Sequence, residues 1–334
     1  MDAFELTRKL VDIESITGNE RTVGDWLANY LSALTTQFNG RLEISEVEPN
    51  RNNIFATWGD PVVTFSTHID TVPPFFPSRE DDANIWGRGA CDTKGIIASM
   101  LKAIESLLAS GTRNIAMLLV VGEERNSVGA YHASRNPRGA KFLINGEPTE
   151  NQLALGSKGA LRLEIQAHGR MAHSAYPELG ESAIEKLIDV LNDLRRMPLP
   201  TNEILGPSTL NIGIIGGGRA PNVIPDFAKA EVMIRLIDDG LHLSQSLPAV
   251  IQGRADCKEV LRIPALHLGK LDGFKTTVVA YTTDIPAFQG AWGQPFLLGP
   301  GTIHVAHTSE EHIPKSQILE AIEIYKAMAT RLLV

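Results

Sequence analysis

At 334 residues, 43% hydrophobic and 21% charged, the chain has an ordinary globular composition and enough length for one large domain or two moderate ones. Its net charge of −8 disfavours general affinity for nucleic acid or an anionic membrane, although a local basic pocket for a small anion is compatible with it. No stretch approaches the roughly 18 apolar residues of a membrane span, Met1-Asp2-Ala3-Phe4-Glu5 does not begin a signal peptide, and Cys91 and Cys257 make no disulfide framework, so the chain reads as cytoplasmic with reduced thiols.

Residues 2–14 and 20–34 have the apolar spacing of amphipathic helices, and Thr17 or Asn19 offers an N-cap for the second. The apolar run 62–66 predicts a buried strand that leads into His68-Ile69-Asp70. Gly87-Arg88-Gly89-Ala90-Cys91-Asp92-Thr93-Lys94-Gly95 then opens a helix over roughly 94–109. A strand over 115–121 ends at Gly122-Glu123-Glu124, and another over 142–144 ends at Asn145-Gly146-Glu147-Pro148. Strands alternating with helices imply an α/β fold with a mixed, mostly parallel sheet covered by helices, whose ligand sites lie beyond the carboxyl ends of its strands.

Near residue 158 the pattern changes. Strands over 160–168, 209–215, 227–237 and 258–264 and helices over 180–196 and 241–253 follow the order β-α-β-β-α-β of a ferredoxin-like sandwich. Residues 159–266 therefore read as an inserted α+β domain, and 1–158 with 267–334 as the main one. The main domain resumes with strands over 277–280 and 295–298 and a closing helix over 316–333.

Three strands of the main domain finish in histidine or acidic residues. Each motif has an ordinary explanation: Asp92 suits a helix N-cap, and Glu123-Glu124 suits a solvated loop. Two adjacent carboxylates leaving a buried strand, however, repel unless cations or protons intervene. If one binds a metal, its neighbour is placed to take a proton from an activated water. His68, Asp92, Glu124, Glu147 and His307 make two histidines and three carboxylates, a donor set suited to zinc and also to cobalt or manganese. Five ligands exceed one tetrahedral zinc with an open position. They suit two divalent ions sharing a carboxylate, about 3.5–4 Å apart in such centres.

Taken together, these motifs and Ala306-His307 resemble the co-catalytic zinc peptidases and deacylases. That family includes acetylornithine deacetylase, succinyl-diaminopimelate desuccinylase, acyl-lysine deacylases, aminoacylase, dipeptidases and carboxypeptidases. The resemblance spans nearly the whole chain in the same order. It implies that His68 and Glu147 bind one metal, that Glu124 and His307 bind the other, and that Asp92 bridges them, often with a cis peptide to the next residue. It further implies that Asp70 orients His68, that Glu123 is the general base and that His173 stabilises the oxyanion. Asn222 and Arg235 would hold a substrate carboxylate, a task to which the planar guanidinium is suited. Thr283-Asp284 resembles a pocket-lining segment without an assigned role. Thr93 departs from the pattern, standing where many members carry methionine.

The expected activity is hydrolysis of an N-acyl amino acid amide, with dipeptidase or carboxypeptidase action as the alternative within the family. A catalytically inactive binding protein on the same scaffold would have lost ligands, and here all are present. The expected partners are thus a small N-acyl amino acid or short peptide, with the inserted domain as a candidate homodimer surface and hinge motion near 158 and 267.

Overall fold

Apolar runs form the centre of the main sheet. The computed structural model describes all 334 residues. Helices α1 (Ala3–Val11) and α2 (Arg21–Phe38) precede a hairpin of β1 (Arg41–Glu48) and β2 (Arg51–Trp58). Then come β3 (Val63–His68), α3 (Gly95–Ala109), β4 (Ile115–Val120), the short helix α4 (Val128–Ser134) and β5 (Phe142–Asn145). A later segment contributes six further elements: β6 (Gly159–His168), α5 (Ala183–Arg196), β7 (Thr209–Gly217), β8 (Phe227–Leu236), α6 (Leu241–Ile251) and β9 (Asp256–Ile263). Strand β10 (Gln294–Leu297) and helix α7 (Lys315–Leu332) end the chain.

The chain divides into two units. Residues 1–155, 268–277 and 283–334 form the first, and 156–267 with 278–282 form the second. In the first, six strands lie in the order β1-β2-β4-β3-β5-β10. The pairs β1/β2 and β2/β4 are antiparallel, whereas β3/β4, β3/β5 and β5/β10 are parallel. The sheet is therefore mixed and mostly parallel, as the alternation of strands and helices implies. Every residue of β3 and β4 is buried; β4 reads as a continuous apolar run, whereas β3 interleaves Val63 and Phe65 with buried Thr64, Ser66, Thr67 and His68. Helix α3 is also apolar on nearly all sides because it packs in the core shared with the sheet, α1 and α7. No helix is long and apolar enough to cross a membrane.

The second unit holds a four-stranded antiparallel sheet in the order β7-β8-β6-β9, with α5 and α6 packed on it. Strand β6 alternates buried and exposed positions, the period of a sheet with one covered face. Ser182 caps α5, its hydroxyl accepting from the Glu185 amide at 3.2 Å.

Two local expectations are corrected. Neither Thr17 nor Asn19 caps α2, whose N-cap is Glu20 without a side-chain cap bond. The Thr17 hydroxyl instead donates to Asp70 at 2.7 Å, and the Asn19 amide donates to Glu14 at 3.0 Å. Both side chains thus donate to carboxylates, one distant and one five residues away, instead of accepting from the first amides of α2.

Candidate metal centre

All five candidate ligands and Glu123 lie in the first unit. Strand β3 ends at His68, β4 runs into Glu123 and Glu124, and β5 into Glu147, so parallel pairing brings these residues to one edge of the sheet. Asp92 follows Gly87-Arg88-Gly89 at backbone angles outside the helical range (φ −124°, ψ 80°), and its peptide to Thr93 is cis. His307 sits in the left-handed region at φ 64°, an uncommon conformation for a residue with a side chain.

Asp92 is shared between the histidines. Its Oδ1 lies 3.1 Å from His68 Nε2 and its Oδ2 lies 3.2 Å from His307 Nε2. The second histidine also lies 3.0 Å from Glu124 Oε2. One ligand atom each from His68, Asp92 and Glu124 falls within 4.8 Å of the others. Glu147 is buried, and its Oε1 has no hydrogen-bond partner within the protein.

The His68 tautomer follows from its other contact. Nδ1 donates to the Asp70 carbonyl at 3.0 Å, so in the neutral ring Nε2 carries the lone pair. That lone pair faces a carboxylate oxygen, and two acceptors at this separation require a proton or cation between them. Oxygen and imidazole donors around one shared carboxylate, together with an unpartnered buried oxygen on Glu147, fit divalent cations.

The electrostatics of the protein groups alone tell the same story. Burial pushes Glu123 and Glu147 well above the ordinary carboxylate value; the charges of Asp284, Glu124 and Asp92 add to this at Glu123, and those of Glu123, Asp92 and Asp284 at Glu147. Asp284 is pushed up to about 7, first by burial and then by Asp70 and Glu124, against the pull of His68. Hydrogen bonds to Asp92 and Glu124 raise His307 to about 10. Burial alone would lower His68, but Asp70, Asp92 and the charges of Glu147 and Glu123 overcome it and raise the imidazole. Without cations, the protein must draw protons into this cluster.

Supporting groups extend beyond the residues assigned a role from sequence. Glu311 accepts from the Asp92 amide at 3.3 Å and pairs with buried Arg88 at 2.5 Å. The Thr93 hydroxyl donates to the His68 carbonyl at 2.7 Å. Asp284 joins the cluster electrostatically from a segment far along the chain. The acidic types of Asp284 and Glu311 were visible in sequence, but nothing local marked either as buried.

His173, Asn222 and Arg235 belong to the second unit. His173 is exposed, pairs in register with Val223, and accepts from the Ala175 amide through Nδ1 at 3.1 Å. The Ser174 amide donates to the Asn222 carbonyl at 3.0 Å, so His173 and Asn222 are neighbours. Arg235 is elsewhere. It lies opposite Thr209 and Ala160, eight residues along β8 from Phe227, or roughly 26 Å at ordinary strand rise. The pairing of Asn222 with Arg235 around one carboxylate is therefore not formed within this unit.

A mixed α/β sheet whose edge gathers two histidines and several carboxylates has the donor set that metal-dependent hydrolases use. Residues 64–331 match the peptidase family M20/M25/M40. The chain is 37% identical to a peptidase M20 domain-containing protein of Schizosaccharomyces pombe, over 97% of its own length and 83% of the relative's. It is 36% identical to a probable carboxypeptidase of Aspergillus niger, over 96% of its own length and 87% of the relative's. A tripeptidase structure from Staphylococcus aureus superposes with a TM-score of 0.82 at 20% identity, covering 99% of this chain and 98% of that one. The chain belongs to the M20 peptidase family and is a metallopeptidase-type hydrolase of amide bonds.

Proposed function

We propose that the enzyme hydrolyses the amide joining an acyl group to an amino acid with a free carboxylate, using two divalent ions, zinc first among them. The observation that carries this reading is Asp92, whose two oxygens each face a different histidine. His68 and Glu147 would hold one ion, Glu124 and His307 the other, and Asp92 both. When bound, such ions lower the pKa of water and polarise the scissile carbonyl.

The chain's own residues supply the rest. Glu123 takes the proton of the attacking water and returns it to the departing nitrogen. Its desolvated setting favours the protonated form between these steps. His173 accepts at Nδ1, so its neutral ring carries the proton on Nε2 and can donate it to a developing oxyanion. Asn222 beside it, or Arg235 through a bidentate contact, would hold the substrate carboxylate. Since Arg235 is remote from Asn222 in the second unit, the two would serve different parts of a substrate or different sites. The reading includes an intracellular amino-acid deacylase and a homodimer formed through the second unit, for which the sedimentation coefficient is the measure.

The second reading is a dipeptidase or carboxypeptidase, which the name of the Aspergillus niger relative favours. Both readings share an amide next to a free carboxylate and differ in the acyl side. A panel of N-acetyl and N-succinyl amino acids against dipeptides and longer peptides separates them. Turnover of the acyl amino acids supports the deacylase reading, and turnover of peptides alone overturns it.

A further inference from the structure

The carboxylate of Asp70 has more donors than orienting one imidazole requires. His68 Nδ1 reaches the Asp70 backbone carbonyl at 3.0 Å, whereas the nearer carboxylate oxygen is 3.5 Å away. The side chain turns instead to the end of β4. Oδ1 accepts from the Gly122 amide at 2.9 Å and from the Glu123 amide at 3.1 Å. Oδ2 accepts from the Glu124 amide at 3.3 Å and from the Thr17 hydroxyl at 2.7 Å. Three consecutive amides thus converge on one buried carboxylate, the concave arrangement by which backbone binds anions. Gly122 at φ 82° makes the turn that aims them.

We propose that the Asp70 carboxylate is the positioning residue of the Glu123-Glu124 segment, while its backbone carbonyl suffices to orient His68. The side chain therefore governs the cation position held by Glu124 and His307 and leaves the one held by His68 and Glu147 largely untouched. This assignment rests on the two-ion reading of the site. Charge matters as well as shape: in Asp70→Asn the amide group must face either the Glu124 amide and Thr17 or the other two amides, and donor then meets donor.

The test is stepwise zinc binding to the full chain by competition with a chelator, with Glu147→Ala and Glu124→Ala used to assign each step to a position. Asp70→Asn is expected to weaken the step that Glu124→Ala weakens by about 10- to 100-fold, the range for groups that orient metal ligands, and to change the other step less than about twofold. In the same variant the amides of 122–124 should lose protection from hydrogen exchange while those of β3 keep theirs. A loss confined to the Glu147 step, or equal in both, overturns the assignment and returns Asp70 to His68. If the wild-type chain binds fewer than two zinc ions, the two-ion reading itself fails, a result distinct from either. Should Asp70→Asn not fold, Thr17→Val decides. It removes one donor to Oδ2 and should weaken the Glu124 step several-fold, and an unchanged step overturns the proposal.

Discussion

Glu123 and Glu124 are neighbours in sequence with opposite surroundings. Glu124 touches His307, while no histidine nitrogen lies within ion-pair reach of the Glu123 carboxylate. Under the proposed function, Glu124 is the ligand of this pair and Glu123 the base. Glu123→Gln keeps the shape and removes the base, so zinc content should stay at two ions per chain while kcat falls by about 10²- to 10⁴-fold. Metal analysis beside steady-state kinetics checks this, and near-normal turnover would exclude Glu123 as the base. The residue pairs that sequence could not supply are those closed by the fold. Arg88 and Glu311 are separated by 223 positions yet form a buried ion pair beneath Asp92. Nothing near Glu311 in the chain distinguishes it from the exposed Glu310.

At the level of elements, the strand ends do most of the positioning, and they were the most legible feature of the sequence. Strands β4 and β5 are short, mainly apolar runs because both faces are covered, and the run 62–66 that feeds β3 carries Val62, Val63 and Phe65, so the strand ends could be located by composition. The ferredoxin-like order of the second unit was legible for the complementary reason, since a half-covered sheet leaves an alternating trace. The hairpin β1–β2 leaves no comparable trace in the sequence. Strand β1 carries Arg41, Glu43, Glu46 and Glu48 on an edge with no fully buried residue, so its pattern lacks a core-facing stripe. Gly122 illustrates how one element end depends on a single residue. A Cβ there would stand 2.8 Å from Val128 Cγ1 and 3.0 Å from Arg51 Nη2, at a positive φ. Gly122→Ala should cost about 1–3 kcal/mol in urea unfolding, the range for held backbone strain, and lower activity by tilting both glutamates. A stability within 0.5 kcal/mol of wild type, about the scatter of neutral surface changes, would show that the turn is not constrained.

For the whole molecule, the crowded carboxylates tie stability to cations and pH. Glu123, Glu147 and Asp284 have folded values above their unfolded ones, Asp284 at about 7. Such groups hold extra protons in the fold, so their contribution weakens as pH rises from the ordinary carboxylate range through the folded values. His307, raised to about 10, acts in the same direction: its stabilisation is complete below about 6.5 and is lost as pH climbs toward 10. Asp70 and Asp92 are held below the ordinary value and matter only in more acidic solution. Protein stripped with a chelator should therefore lose Tm steadily between about pH 5 and 8. Zinc-loaded protein should melt higher and change little, because cations replace the protons. Scanning calorimetry of both forms across this range is the check, and a stripped protein whose Tm rises with pH would contradict the electrostatic account.

The first unit is assembled from both sides of the second, and its sixth strand and His307 come after residue 268. During translation, a nascent chain that has emerged only as far as β9 holds all four strands of the second unit's sheet while the principal sheet still lacks its edge strand and one imidazole. On the proposed two-ion reading, the full ligand set is complete only late in synthesis. A ribosome-stalled intermediate of that length would present the acidic side chains of His68's neighbourhood without the His307 imidazole that pairs with Asp92 and Glu124.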